Sequence, residues 1–306
     1  MSTTLGATVA ILPADLAGHA PKATARTQSV SVIVVTHQSA GYIRSCLASL
    51  RRHPAAVDQE VIVVDNASTD GTAEIVASEF PEARLVVAPG RRGFAANCNH
   101  GASVATGQTL FFLNPDARVA DGTIDALLAA LDSDDSIGLA GPCLVYPDGS
   151  PQPSARRFPT VSATIVRRTP VRWLLRDSRH ERRHLMVDLR DEYASSGPVV
   201  LRPVDWLLGA AFVVRADMYR SLGAMDESYR LYCEDIDLCW RVWKSGREVV
   251  QVTSVAVEHD LGELTRKKFV TRATIWHYRS MFRFVRKNGL RAPCRSRAGQ
   301  EVRSRP

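Results

Sequence analysis

No run of apolar residues in this chain approaches the ~18 that span a bilayer, so the sequence predicts no transmembrane helix. The opening stretch, "MSTTLGATVAILPADLAGHA", lacks a basic start, and Pro13 and Asp15 interrupt its apolar run. That makes a poor secretory signal and predicts a disordered tail over residues 1–29. Cys46, Cys98, Cys143, Cys233, Cys239 and Cys294 include no CxxC pair and no zinc-ligand spacing. A zinc module is excluded, and the thiols read as reduced, as in a cytoplasmic protein. GxGxxG and GxxxxGK[ST] are also missing, which removes the dinucleotide fingerprint and the P-loop. No internal repeat is evident.

What is present is enough for a packed core. The chain has 306 residues, 45% hydrophobic and 23% charged, a globular composition. Its net charge of +7 and pI of about 9.3 point to anionic partners: nucleotides, nucleic acid or a membrane surface. The aromatic residues are not interleaved with the basic ones as base-stacking platforms require, which argues against nucleic acid.

Order is predicted to begin at "SVSVIVVTHQS", whose β-branched run suits a strand buried on both faces of a parallel sheet. "AGYIRSCLASLRRH" follows with helical spacing that puts Ile43, Leu47 and Leu50 on one face. The alternation continues through strands "EVIVVDNASTDGT", "ARLVVAP", "TLFFLNPDARV" and "IGLAGPCLVY", with helices "TAEIVASEF", "GFAANCNHGASVAT" and "GTIDALLAALDSD" between them. This pattern predicts an open α/β sheet flanked by helices. Ligands in such sheets bind beyond the carboxyl ends of strands, where "THQS", "DNASTD" and "NPD" fall. Residues 147–203 are rich in Pro and Arg and weakly periodic, and read as an irregular excursion with short helices near the acceptor or a membrane. Regular structure resumes at "VDWLLGAAFVVRADMYRSLG".

Four clusters carry candidate chemistry. Asp65 ends a buried strand, where its carboxylate can accept a hydrogen bond from a base N–H or a ribose hydroxyl; a turn with Ser68 or Asp70 capping the next helix explains the same residues. Asn114 and Asp116 alternate at the end of another strand and would share a face, within reach of one magnesium or manganese ion; an ordinary Asn-Pro-Asp turn also accounts for them. In "GRRGFAANCNHG", Gly93 permits close backbone approach, and Arg91 or Arg92 suits a diphosphate. "RLYCEDIDLCWRV" crowds Glu234, Asp235 and Asp237 together. Asp237 and Arg241 have the spacing of a pair on one helix face. Glu234 and Asp235 open the helix, where its dipole is expected to keep a carboxylate ionised and able to take a proton from an alcohol. Further on, His259 follows the apolar run "VAVEH", as a structural histidine or a metal ligand.

Taken in order, "VSVIVVTHQS", "VIVVDNASTDGT", "RRGFAANCNHG", "FFLNPDARV", "GAAFVVRADMYRSLGAMDESYRLYCEDIDLCWRVWKSG" and "VAVEHD" resemble the inverting, nucleotide-sugar-dependent glycosyltransferases of family 2. The resemblance implies a GT-A fold, Rossmann-like, with a mostly parallel sheet flanked by helices, over residues 30–262. It implies that Asp65 recognises the nucleobase and that Asp116 and His259 hold Mg2+ or Mn2+ on the donor diphosphate. Asp235 would be the general base, oriented with the acceptor by Glu234. Thr36, His37, Asn66, Arg92, Gly93, Asn97 and Asn114 would complete the donor site, with Gly209 and Ala210 lining the sugar pocket. Asn114 stands where many relatives carry Asp, His37 where an aromatic often stacks on the base, and Arg91 where Asn is usual. "NPD", "YPDGSPQPSARRFPT" and "RPVDWLLGAAFVVR" resemble bacterial rhamnosyltransferases. They imply an L-rhamnosyl donor such as dTDP-rhamnose and a glycan or polyprenyl-linked acceptor. A UDP-hexose donor and a catalytically inactive relative are the alternatives.

Residues 263–290 form a basic amphipathic extension. "RKKFVTRATIWHYRSMFRFVRKNGL" puts Ile275, Tyr278, Phe282 and Val285 on one helical face, with Arg272, Arg279, Arg283 and Arg286 beside it. Such a helix suits either an anionic membrane, at the inner face of the cell membrane, or docking on the core. Residues 291–306 read as a disordered tail.

Overall fold

A computed structural model describes residues 10–11, 29–158, 186, 200–260 and 272–289. The rest of the tail expected over 1–29, most of the excursion over 147–203 and the tail over 291–306 lie outside the described residues. Strand β1 (Ala10–Ile11) is followed by β2 (Ser29–Thr36), α1 (Ile43–Arg52), β3 (Asp58–Asp65), α2 (Thr72–Glu79), β4 (Arg84–Val87), α3 (Phe94–Val104) and β5 (Thr109–Leu113). β2 pairs in parallel with β3 and β5, and β3 with β4. Alternate residues of β2 enter opposite layers. Ile33 and Val35 join Ala95 and Cys98 of α3 on one face. Val30, Val32 and Val34 join Ile43 and Leu47 of α1 on the other. Burial on both faces accounts for the unbroken β-branched run.

The second half adds β6 (Ala117–Arg118), α4 (Thr123–Ser133), β7 (Ile137–Val145), β8 (Pro151–Gln152), β9 (Ala155–Arg156), β10 (Val200–Pro203), β11 (Trp206–Leu207) and β12 (Ala211–Arg215). Then come α5 (Ala216–Ser221), α6 (Glu234–Lys244), β13 (Glu248–His259) and α7 (Arg272–Asn288). The main sheet runs β1-β10-β13-β7-β12-β5-β2-β3-β4. β12 lies antiparallel between β5 and β7, while β13 is parallel to β7. The α/β class, with its central mostly parallel sheet flanked by helices, is the one the sequence predicts.

Three local expectations change. The strand expected through "FFLNPDARV" stops at Leu113, because Pro115 has no N–H for a ladder. A turn closed by Ala117 N–H to Asn114 O (3.1 Å) follows, and β6 pairs instead with the end of β13. The expected excursion is strand-like where it is described: β8 pairs with β7, β9 with β11, and β10 with β13. Edge and short strands tolerate the prolines that hid them from the periodicity. β1, within the tail read as disordered, adds to the β10 edge.

The C-terminal helix packs only part of its apolar stripe against the core. Ser280 and Phe284 are buried and Val285 packs against the core, whereas Tyr278 and Phe282 are exposed. Phe284 meets Trp240 of α6 edge-on at 5.3 Å between ring centroids. Burying such a ring stabilises the docked helix by roughly 1.5–3 kcal/mol. No helix among the described residues is long and apolar enough to cross a membrane.

Candidate active site

The carboxyl ends of β2 and β3 form one side of the site. Asp65 is buried, and its carboxylate accepts from Thr36 Oγ1 (3.0 Å) and the Ser68 N–H (2.9 Å). The carboxylate therefore holds the loop after β3 in place. Asn66 extends the brace: its Oδ1 accepts from the Arg92 N–H (2.7 Å) and its Nδ2 donates to Arg92 O (3.1 Å). His37 Nδ1 lies 2.9 Å from Asn66 O. Arg91 and Arg92 are exposed. Asn97 is buried in the first turn of α3, donates to Gly93 O (3.0 Å) and leaves its Oδ1 without a partner. Gly93 approaches a neighbouring backbone closely: a Cβ there would stand 3.1 Å from Arg230 O and 3.2 Å from Tyr229 O. The loop carrying Arg92 thus abuts the segment that leads into Glu234.

Opposite lies a group built on the turn after β5 and the end of β13. His259 Nε2 is 3.4 Å from Asp116 Oδ1 and 3.3 Å from Asn114 Nδ2. His259 Nδ1 meets Gln152 Oε1 at 2.7 Å, and Gln152 Nε2 donates back to His259 O at 3.3 Å. This pairing places the ring proton on Nδ1 and leaves the Nε2 lone pair facing Asp116. Asp116 Oδ1 is buried without a hydrogen-bond partner. A carboxylate oxygen and an imidazole nitrogen converging at 3.4 Å suit a divalent cation. The convergence comes from the Asn-Pro-Asp turn, not from strand alternation. Asn114 offers its amide Nδ2 to the ring here, so in this arrangement it is a brace and not a ligand. Among the described residues no group of three or more His, Cys, Asp or Glu converges as a metal cage; a cation at this site would draw its remaining ligands from substrate and water.

The dipeptide Gly209-Ala210 joins this group to the acidic pair. Ala210 O accepts from the Asn114 N–H (2.8 Å), and the Gly209 N–H donates to Asp235 Oδ2 (3.0 Å). Ala210 is 1% exposed and its methyl lies in the core. Its contact with the neighbouring group is through the backbone carbonyl. Asp235 Oδ1 accepts from the Ile236 N–H (2.8 Å). Asp235 is partly exposed at the start of α6, whereas Glu234 is buried with Oε2 unpartnered.

Burial works against the helix dipole that is expected to keep a carboxylate ionised here. Burial, reinforced by the neighbouring Asp235 charge, pushes Glu234 up to about 8. Burial also raises Asp235, against hydrogen bonds from Ile236 and Gly209 and the charge of Arg156. A helix terminus contributes about 0.3–1 kcal/mol at exposed sites, less than the several kcal/mol needed to desolvate a carboxylate. At neutral pH the pair keeps a proton on Glu234. Asp235, with two backbone donors and Arg156 nearby, holds the charge.

A family model for glycosyl transferase family 2 matches residues 31–191, more than half of the chain. The chain belongs to glycosyl transferase family 2. This family 2 protein is 29% identical over 293 residues to the N-acetylglucosaminyl-diphospho-decaprenol L-rhamnosyltransferase of Mycobacterium tuberculosis, covering 88% of its own length and 89% of the relative's. It is 33% identical over 82 residues to the rhamnosyltransferase WbbL of Escherichia coli, which covers 27% of the chain and 31% of WbbL. Its fold is shared with GalNAc-T7 crystallised with UDP, GalNAc and Mn2+: the TM-score is 0.56 at 18% identity, over 76% of this chain and 43% of that one. Staphylococcus aureus TarS 1-349 in complex with UDP-GlcNAc gives the same TM-score and identity over 87% of this chain and 68% of the other.

Two residues of this family 2 site escaped sequence reasoning. Gln152, which fixes the His259 ring, and Arg156, whose charge acts on Asp235, both lie in the Pro-rich segment read as irregular. The alternation of Gln152, Ser154 and Arg156 was the available signal, obscured by Pro151 and Pro153.

Proposed function

We propose that the chain moves an L-rhamnosyl residue, from a donor such as dTDP-rhamnose, to a hydroxyl of a lipid-linked glycan acceptor with inversion at the anomeric carbon. The observation that carries this reading is the contact series from Asp235 through Gly209-Ala210 to Asn114, His259 and Asp116. It links Asp235 to Asp116 and His259 across a single dipeptide, which supports a proton acceptor beside a cation-binding pair. The finer choice of rhamnose rests on the names of the M. tuberculosis and E. coli relatives.

In this reading Asp235 accepts the proton of the attacking hydroxyl. Glu234 remains protonated, so the pair carries one negative charge and not two. Asp65, Asn66 and Arg92 shape the nucleotide side, and exposed Arg92 meets the diphosphate. Asp116 and His259 would hold Mg2+ or Mn2+, which when bound stabilises negative charge on the leaving diphosphate. Gln152 keeps His259 in the tautomer that presents Nε2.

Peripheral placement on the cytoplasmic face of a membrane belongs to the same reading. Its support is the exposed Tyr278 and Phe282 among exposed Arg279, Arg283 and Arg286. Transfer from labelled nucleotide sugars to a polyprenyl-diphosphate-linked GlcNAc, with manganese or magnesium, tests the whole. dTDP-rhamnose should be the preferred donor. Preference for a UDP-hexose would redirect the donor assignment, and binding without transfer from any donor would favour an inactive relative.

A further inference from the structure

The segment that delivers Glu234 and Asp235 is strained. Tyr232 and Cys233 have φ of 67° and 71°, two consecutive non-glycine residues in the left-handed region. L-residues adopt that region singly and at an energetic cost, so surrounding contacts must hold this conformation. Gly93 supports the segment from one side, at the close approach already described. The contacts on the other side come from α7, which lies outside the span matched by the family model.

Those contacts fall on consecutive residues. The Arg230 guanidinium stacks over the Trp276 ring at 4.8 Å. Leu231 O accepts from Ser280 Oγ at 2.9 Å. The Tyr232 ring meets His277 edge-on at 5.2 Å. Beyond the acids, Asp237 is fully buried and accepts from Lys287 Nζ (3.0 Å) and Asn288 Nδ2 (3.0 Å), besides Arg241 Nε (2.8 Å) and Tyr229 OH (3.3 Å). Lys287 also pairs with Asp226 at 2.7 Å. Helix α7 therefore grips the chain immediately before and immediately after Glu234-Asp235 and leaves those two residues untouched.

We propose that Ser280, Lys287 and Asn288 are positioning residues for sugar transfer, holding the strained turn and the first turn of α6 so that Asp235 stays on the Gly209 N–H. Asp237 is the shared anchor. Its spacing to Arg241 is that of a simple helix-face pair, yet Arg241 is one of four donors, two of which come from α7. The role in transfer rests on Asp235 being the general base.

The test uses the full chain with Lys287→Met/Asn288→Ala and, separately, Ser280→Ala. Asp237 keeps Arg241 in the first, and the second changes no charge, so both should fold. Amide hydrogen exchange across residues 229–237 should speed up at least tenfold. The turnover number should fall at least tenfold while KM for the nucleotide sugar stays within twofold. Lys287→Arg should keep most of the turnover. Unchanged exchange in folded variants would overturn the grip. Loss of activity that follows a lowered Tm, with residues 229–237 still protected, would overturn the positioning role. If the unsubstituted chain transferred no sugar from any donor, the transferase reading would fall, and exchange would still decide the grip.

Discussion

The Gly209 N–H donates to Asp235 Oδ2 across 3.0 Å, at a position where a side chain would crowd that carboxylate. A Cβ on Gly209 would stand 3.2 Å from Asp235 Cβ and 3.4 Å from Oδ2. Gly209→Ala must therefore displace the carboxylate by a few tenths of an ångström or shift the loop before β12. Misplacing a reacting group by about 1 Å costs about a hundredfold. Gly209→Ala should lower the turnover number by roughly ten- to a hundredfold, leaving nucleotide binding by calorimetry near normal. Full turnover would show that this contact does not set the base.

Asp235→Asn keeps the size and one of the two backbone contacts but cannot accept the proton. Loss of a general base costs about 10²–10⁴-fold in rate. The raised Asp235 also predicts the pH profile. Only the ionised form is active, so the rate falls as pH drops through the raised pKa. The acid limb should lie above the usual aspartate range near 3.9. A turnover–pH profile flat down to pH 4, or near-normal turnover in Asp235→Asn, would remove Asp235 from the role.

Glu234 is protonated in the fold up to about 8 but ionises near 4.5 when unfolded. A folded pKa above the unfolded one gives stability that is complete below about 4.5 and is lost as pH rises to about 8. The slope is at most about 1.4 kcal/mol per pH unit. The parent protein's Tm should decline across that window, and Glu234→Gln should decline less. Parallel Tm–pH curves would show that Glu234 ionises freely in the folded protein.

Most of the sheet was legible because β2, β3, β5 and β7 are buried and their sequences are nearly continuous in β-branched and apolar residues. What was not legible depends on tertiary partners. Strand alternation suggested that Asn114 and Asp116 share a face, whereas the turn at Pro115 brings Asp116 to His259 and turns the Asn114 amide onto the ring. The protonation of Glu234 follows from burial, which the local sequence, rich in acids at a helix start, does not reveal. The docked face of α7 is set by Trp240, Leu231 and Asp237, residues far away in the chain, so apolar spacing alone selected Tyr278 and Phe282.

Gln152 Oε1 meets His259 Nδ1 at 2.7 Å and so favours the tautomer whose other nitrogen turns its lone pair toward Asp116. Outer partners of this kind typically contribute 10–100-fold to metal affinity. Gln152→Leu should weaken Mn2+ binding in the presence of UDP or TDP by that amount, read by calorimetry or by electron paramagnetic resonance of free Mn2+. Gln152→Glu, which keeps an acceptor for Nδ1–H, should retain most of the affinity. Equal binding by the parent, Leu and Glu proteins would mean that the ring needs no brace.

Tyr278 at 44% and Phe282 at 72% exposure lie one helical turn apart on α7. Arg279, Arg283 and Arg286 are exposed around them. Near an anionic bilayer each such cation contributes about 1 kcal/mol, and the aromatic pair adds apolar contact at the headgroup boundary. The protein should float with vesicles containing phosphatidylglycerol and not with pure phosphatidylcholine. Tyr278→Ser/Phe282→Ser should lower the bound fraction at least fivefold, and 0.5 M salt should do the same by screening. Because α7 docks through Ser280 and Phe284, Phe282→Ser alone should keep the parent's Tm and its turnover on a short-chain soluble acceptor. Equal flotation of parent and variant would place any membrane contact elsewhere on the chain.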